Sequence, residues 1–171
     1  MSQLRKIVDG LREDPTCVFA PPVGGPPPSL AVPDDLREFY EICGGLVLFS
    51  DAPFAWEIVG PSGLVPTNLQ VLGEQVEDDI TSSWFVIAQE PGDSSALISI
   101  DLRADRLGWC YDSDSEIHGL VGNSAILAFS FTELLSELIG ARSEYLFWTQ
   151  KQFVSKGDAY DAIDNSTRSG G

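Results

Sequence analysis

The stretch Val32-Pro-Asp-Asp-Leu-Arg-Glu-Phe-Tyr-Glu-Ile-Cys-Gly-Gly-Leu-Val-Leu-Phe49 reads as a short helix, a double-glycine stop and an apolar strand. Proline fixes φ near the helical value, so Pro33 suits the first turn. Asp34, Asp35 and Glu38 lie near the positive end of the helix dipole. Leu36, Phe39, Tyr40 and Cys43 fall at i, i+3, i+4 and i+7, which is one apolar stripe. Gly44 and Gly45 can take the left-handed conformation that ends a helix, so their expected role is structural. Leu46 to Phe49 follow as a buried strand.

Working outward, Leu4, Ile7, Val8 and Leu11 repeat the same spacing and predict an amphipathic helix over residues 2–13. A Pro/Gly-rich loop near 14–30 separates it from the central unit. Downstream, Phe54, Trp56 and Ile58 alternate as a half-buried strand, and 60–63 is a turn. Thr67 with Gln70 has the form of a capping box. It opens a helix over 68–77 whose apolar face is Leu69, Leu72 and Val76. Trp84 to Ala88 and Ala96 to Asp101 form a hairpin around Pro91-Gly-Asp-Ser94. Leu107, Trp109 and Tyr111 alternate as a further strand, and Ser124 to Phe129 is a last short apolar segment. Ser130 and Glu133 form a second capping box. Phe131, Leu134, Leu135 and Leu138 make the stripe of its helix, which Gly140 stops. Tyr145 to Phe153 is aromatic and packs as another helix.

This order predicts an α+β fold: a largely antiparallel sheet of about five or six strands with N-terminal and C-terminal helices packed on one side. Residues 1–156 form a single domain, and 157–171 form a frayed polar tail. Leu36, Phe39, Leu46, Leu48, Val86, Ile98, Leu134 and Leu138 are the expected core.

The charge is distributed unevenly. Of the net −16, residues 34–129 carry −14, with seventeen acidic and three basic side chains. Such a body repels nucleic acid and anionic membrane, and it attracts a basic protein partner. No apolar run approaches the roughly 18 residues that span a bilayer. Met1 to Val8 lacks the apolar region of a secretory signal, and Cys17, Cys43 and Cys110 form no pairing pattern. Both observations favour a reducing cytoplasm. Without a secretory signal, the glycosylation acceptor at Asn165-Ser-Thr167 is idle.

The motifs for catalysis and ligation are missing. His118 is the single histidine, and no Gly-x-Ser-x-Gly elbow accompanies it. It reads as a loop histidine held by an ordinary hydrogen bond. Asp112, Asp114 and Glu116 match positions 1, 3 and 5 of a calcium loop. Ile117 and Asn123 stand where that loop needs Gly and Glu, so it is not an EF-hand. One histidine and three scattered cysteines do not make a zinc set. Gly24-Gly25 leads into prolines rather than a phosphate cradle. Trp56, Trp84, Trp109 and Trp148 sit in apolar contexts that favour core packing. The expectation is no enzyme activity, no catalytic residue, no metal and no cofactor.

The helix–Gly-Gly–strand unit of residues 32–49, with the hairpin from Trp84 to Asp101 and its Gly-Asp turn, resembles the SUKH superfamily. That superfamily groups bacterial immunity proteins with fungal cell-wall glucan-synthesis regulators. The resemblance covers roughly residues 30–140 and implies the same α+β fold. It implies an immunity-type protein that binds and neutralises a cognate toxin, a basic one given the charge. The alternative is a non-enzymatic regulatory or scaffold domain. The expected contact groups are Glu74, Glu77, Asp78 and Asp79 in one acidic loop and Asp112, Asp114 and Glu116 in another, with Tyr111 as an apolar anchor.

Overall fold

Seven strands pair in sequence order into one antiparallel sheet, β1 to β7, so every neighbour in the chain is a neighbour in the sheet. The computed structural model describes residues 1–161. The strands are β1 Val18–Phe19, β2 Leu46–Leu48, β3 Trp56–Ile58, β4 Trp84–Glu90, β5 Asp93–Asp101, β6 Cys110–Asp112 and β7 Ile126–Ala128. The helices are α1 Gln3–Leu11, α2 Asp34–Ile42, α3 Thr67–Leu72 and α4 Phe131–Ala141. The class is the expected α+β. The strand count exceeds the expected five or six, in part because the Pro/Gly-rich loop lends the sheet the two-residue β1.

Helices α1, α2 and α4 touch one another and cover one face of the sheet. Leu4 and Val8 of α1, Leu36 and Phe39 of α2, and Leu134 and Leu138 of α4 meet Leu46, Leu48, Ile98 and Ile100 in a continuous apolar core. The eight residues expected in the core are all buried, none more than 3% exposed. Ser130 caps α4 by accepting the Glu133 N–H at 3.0 Å. Asp35 also reaches across from α2 and accepts from the Thr132 N–H and hydroxyl at 2.9 and 2.8 Å, fastening the two helix starts together. The helix α4 runs past Gly140 and ends at Arg142, which takes the left-handed conformation at φ 51°. Gly140 is therefore not the stop. Residues 145–153 form only a 3-10 turn at Phe147–Thr149 rather than a helix.

The glycine pair works differently from the expected helix stop. The helix α2 closes with Cys43 extended at φ −153°. A Cβ on Gly44 would lie 2.3 Å from the Pro21 carbonyl oxygen, and one on Gly60 would lie 2.2 Å from the Gly44 oxygen. Gly45 has φ +139°, which L side chains rarely adopt. The pair is therefore structural because three backbone segments pass close together there. Ala20 exchanges backbone hydrogen bonds with Gly44 and Gly45 at 3.0 Å each.

The opposite face of the sheet is covered by α3, by loops and by the C-terminal segment. Val59, Val86 and Leu97 pack with Val65 and Val71. Ile80, Trp84, Tyr111 and Ile126 pack with Ala159 and Tyr160. Thus α3 does not bury the expected apolar face. Leu69, Leu72 and Val76 are 48%, 53% and 40% exposed, while Thr67 and Asn68 are fully buried. Thr67 is no cap either, because its hydroxyl bonds Ser99 at 2.7 Å and Pro66 occupies the cap position. Residues 157–161, expected in the frayed tail, are ordered. Asp158 accepts the Ser124 N–H at 2.7 Å, Ile126 N–H bonds Gly157 O, and Ala159 N–H bonds Ser124 O. The acceptor at 165–167 and the end of the tail lie outside the described residues.

Among the described residues no helix is long and apolar enough to cross a membrane, and Cys17, Cys43 and Cys110 are free and buried.

Candidate partner-binding site

Two acidic loops flank the loop-covered face, and the single histidine joins them. His118 Nε2 lies 2.7 Å from the Asn68 side-chain oxygen, and Nδ1 lies 3.2 Å from the Ser113 hydroxyl. Asn68 donates onward to Thr81 Oγ1 at 3.0 Å and to Gln75 Oε1 at 3.1 Å. Thr81 Oγ1 donates to Asp79 at 2.6 Å, and so does the Tyr160 hydroxyl at 2.9 Å. At the other end Ser113 bonds Ser99, which bonds Thr67, both at 2.7 Å. A buried polar chain therefore runs from loop 74–79 to loop 112–118. Each member is satisfied by another, as a polar group withdrawn from water requires. Because Nε2 faces an amide oxygen it carries the proton, and the neutral ring fits both contacts. Burial lowers the affinity of His118 for a second proton, opposed only in part by Asp79.

The sequence Ser113, His118, Asn68 has the cast of a hydrolytic triad, but its hydroxyl is inaccessible. Ser113 and Asn68 have no exposed surface, and Ser113 Oγ is engaged by Ser99. The histidine is the hydrogen-bonded loop residue that its surroundings in the sequence indicated.

The expected contact residues divide into those that face outward and those that do not. Glu74, Glu77 and Asp78 are exposed. Asp79 is half-buried and committed to Thr81 and Tyr160. In the second loop Glu116 is exposed and Asp114 is half-buried, its Oδ1 accepting the Glu116 N–H at 3.0 Å. Asp112 is half-buried and accepts from the Asp114 N–H and from the Trp148 indole, both at 3.2 Å. Burial pushes the Asp112 carboxyl above its usual range. Tyr111 has to be withdrawn as an anchor. It is 1% exposed, its ring stacks on Trp84 at 4.0 Å, and its hydroxyl donates to Asp101 at 2.7 Å. The strand register turns Tyr111 inward while its neighbour Asp112 faces the other side.

The aromatic surface lies elsewhere. A groove of about 440 Å³ opens beside the second loop, with Phe54, Trp56, Ile117 and Trp148 among its walls and Glu90, Asp93, Asp112, Asp114 and Glu116 around them. Phe54 is 40% exposed. Trp148 is half-buried, tilted at 49° against Trp56 with ring centroids 6.2 Å apart. At the hairpin turn Asp93 accepts from the Ser95 hydroxyl and N–H, which holds its carboxyl below the usual range. The groove draws on four chain segments, around 54–56, 90–97, 112–117 and 146–149. Sequence reading found only the third, because the others share no local pattern with it.

The chain is 38% identical over 133 residues to Immunity protein YokJ of Bacillus subtilis (strain 168), a match covering 78% of this chain and 79% of that protein. The chain belongs to the SUKH superfamily. No family model matches it. For a SUKH protein the arrangement above has a simple physical meaning. One face of the sheet is spent on the helical core. The other face and the hairpin end carry outward-facing carboxylates on loops that a buried hydrogen-bond network joins.

Proposed function

We propose that this protein is an immunity protein that binds a cognate toxin and covers its working surface without chemistry of its own. The similarity to Immunity protein YokJ carries this reading. The charge supports a basic partner: residues 34–129 hold −14 of the net −16, and the carboxylates of Glu74, Glu77, Asp78, Asp114 and Glu116 stand on two loops braced by His118. Complementary charge speeds encounter and excludes wrong partners. A braced loop loses little freedom on binding, so less of the contact energy is spent on ordering it.

The partner is sought by capturing complexes from the native cell on the tagged protein. Each captured protein is then expressed alone and together with this chain. One that halts growth alone and permits it in the presence of this chain is the toxin. Affinity for it falls as salt rises, since exposed charges are screened over about 8–10 Å near physiological ionic strength. Reversal of Glu74, Glu77 and Asp78 to Lys, or of Asp114 and Glu116 to Lys, slows association and shows which loop faces the partner. Growth rescue that survives both reversals with unchanged binding means that the acidic loops serve solubility alone.

A further inference from the structure

We infer that the groove between Trp148 and the 112–116 loop receives an arginine side chain presented by a partner protein. This rests on the immunity reading for the identity of the protein that presents it. The chemistry is legible without it. A cavity of about 440 Å³ lies in the range of roughly 300–1,000 Å³ typical of built binding sites. Its five carboxylates come from two segments, Glu90 and Asp93 at the hairpin and Asp112, Asp114 and Glu116 on the second loop, and its walls hold no lysine or arginine. Among the described residues none of the five is in an ion pair, although Glu38, Asp101, Asp105, Asp14 and Glu133 all are. The groove's negative charge is thus left for something from outside the chain. Among the described residues no three His, Cys, Asp or Glu side chains converge as metal ligands do, so the occupant argued for is an organic cation.

The aromatic wall selects the kind of cation. An indole face attracts a cation through its quadrupole, and a planar, weakly hydrated guanidinium stacks on it better than a compact ammonium. The same guanidinium can donate two parallel hydrogen bonds to a carboxylate. Trp148 is already positioned for this. Its indole N–H is engaged by Asp112, its ring stands at 85° to Phe147 with centroids 5.0 Å apart, and it leans on Trp56. Asp112 is raised by burial, and an incoming positive charge relieves it.

The test uses the full-length protein and a capped Gly-Arg-Gly peptide, with the Gly-citrulline-Gly peptide as the neutral isostere and Gly-Lys-Gly as the alternative cation. The readout is the Trp148 indole N–H resonance, assigned by its loss in Trp148→Phe. The arginine peptide shifts it saturably, the lysine peptide binds about two- to fivefold more weakly, and the citrulline peptide leaves it in place. Asp114→Asn with Glu116→Gln weakens arginine binding about two- to fivefold and keeps the thermal midpoint, while Asp9→Asn with Glu13→Gln, exposed on the far side of the helical layer, changes neither. No shift with arginine, or an equal shift with citrulline, overturns the inference. The immunity reading is judged separately by growth rescue. Rescue with a silent groove removes only the groove, and arginine binding without rescue removes only the role.

Discussion

Asp101 is the carboxylate whose removal should damage the protein most. It is fully buried and accepts four hydrogen bonds: from Ser83 Oγ at 2.7 Å, the Arg103 N–H at 3.0 Å, Arg106 Nε at 3.2 Å and the Tyr111 hydroxyl at 2.7 Å. Arg106 is itself 9% exposed, and its Nη2 has no partner among the described residues. Asp101→Ala therefore strands a buried guanidinium together with two buried or half-buried hydroxyls. Breaking a buried pair from one side costs about 3–5 kcal/mol. At about 2–4 °C per kcal/mol for a chain of this size, the midpoint falls by roughly 6–20 °C. Arg106→Ala costs less, because three donors still satisfy Asp101. The double variant costs less than the sum of the two singles, because neither charge is then left alone. Urea unfolding followed by tryptophan fluorescence measures all three, since Trp84 stacks directly on Tyr111. Equal costs for the two single variants, or strict additivity in the double, would refute the view that Asp101 is the hub.

Gly44→Ala must displace the Pro21 carbonyl, 2.3 Å from the new Cβ. It loses about 1–3 kcal/mol in the same unfolding assay, and an unchanged midpoint would mean that the 20–23 loop yields freely. Asp79→Lys lowers the melting temperature by withdrawing the acceptor of Thr81 and Tyr160, whereas Glu77→Lys on the exposed part of that loop leaves it nearly unchanged. Equal midpoints would count against the bracing network. For His118, burial holds the folded-state value below that of the unfolded chain, so on acidification the unfolded chain takes up this proton first. Its contribution is complete above about pH 6.5 and is lost as pH falls through the folded value. His118→Gln removes that loss, so wild type and variant should differ in the slope of their unfolding midpoints as pH falls below about 6.5; parallel slopes exclude it.

The helical half of the molecule could be read from the chain because each helix there buries a stripe spaced at 3.6 residues and the strands that face it are short apolar runs. Leu36, Phe39, Leu134 and Leu138 announce their burial locally. The other half could not, because its packing is not a pattern of apolar residues. Helix α3 goes inward with Thr67 and Asn68 and leaves Leu69 and Leu72 outside, reversing the ordinary sign of the stripe. The reason is a hydrogen-bond chain whose bonded partners are up to 81 residues apart, and no local spacing encodes such a separation. Gly44 was visible as a glycine that mattered. The oxygen that requires it belongs to Pro21, on a loop that propensity leaves shapeless. Tyr111 failed as an anchor for a similar reason. Its neighbour Asp112 turns toward Trp148 on the other side of the strand, and alternation then sends the tyrosine in against Trp84.

The segment 157–159 pairs with residues 124–126 at the entry to β7 and takes up backbone groups of Ser124 and Ile126 that would otherwise be open. At the far margin, β1 is two residues long and runs into Pro21 and Pro22, which have no N–H to offer. An antiparallel sheet with a bare margin is a template for another copy of itself. Here one margin is occupied by the chain's own later residues and the other is too short and too proline-rich to recruit a strand. A chain cut at 156 would keep α1 to α4 and β1 to β7 yet open the entry to β7, and it should self-associate as its concentration rises. The segment 157–159 thus acts as a stopper against polymerisation, which matters for a protein whose remaining exposed surface is proposed to be sticky toward one partner only.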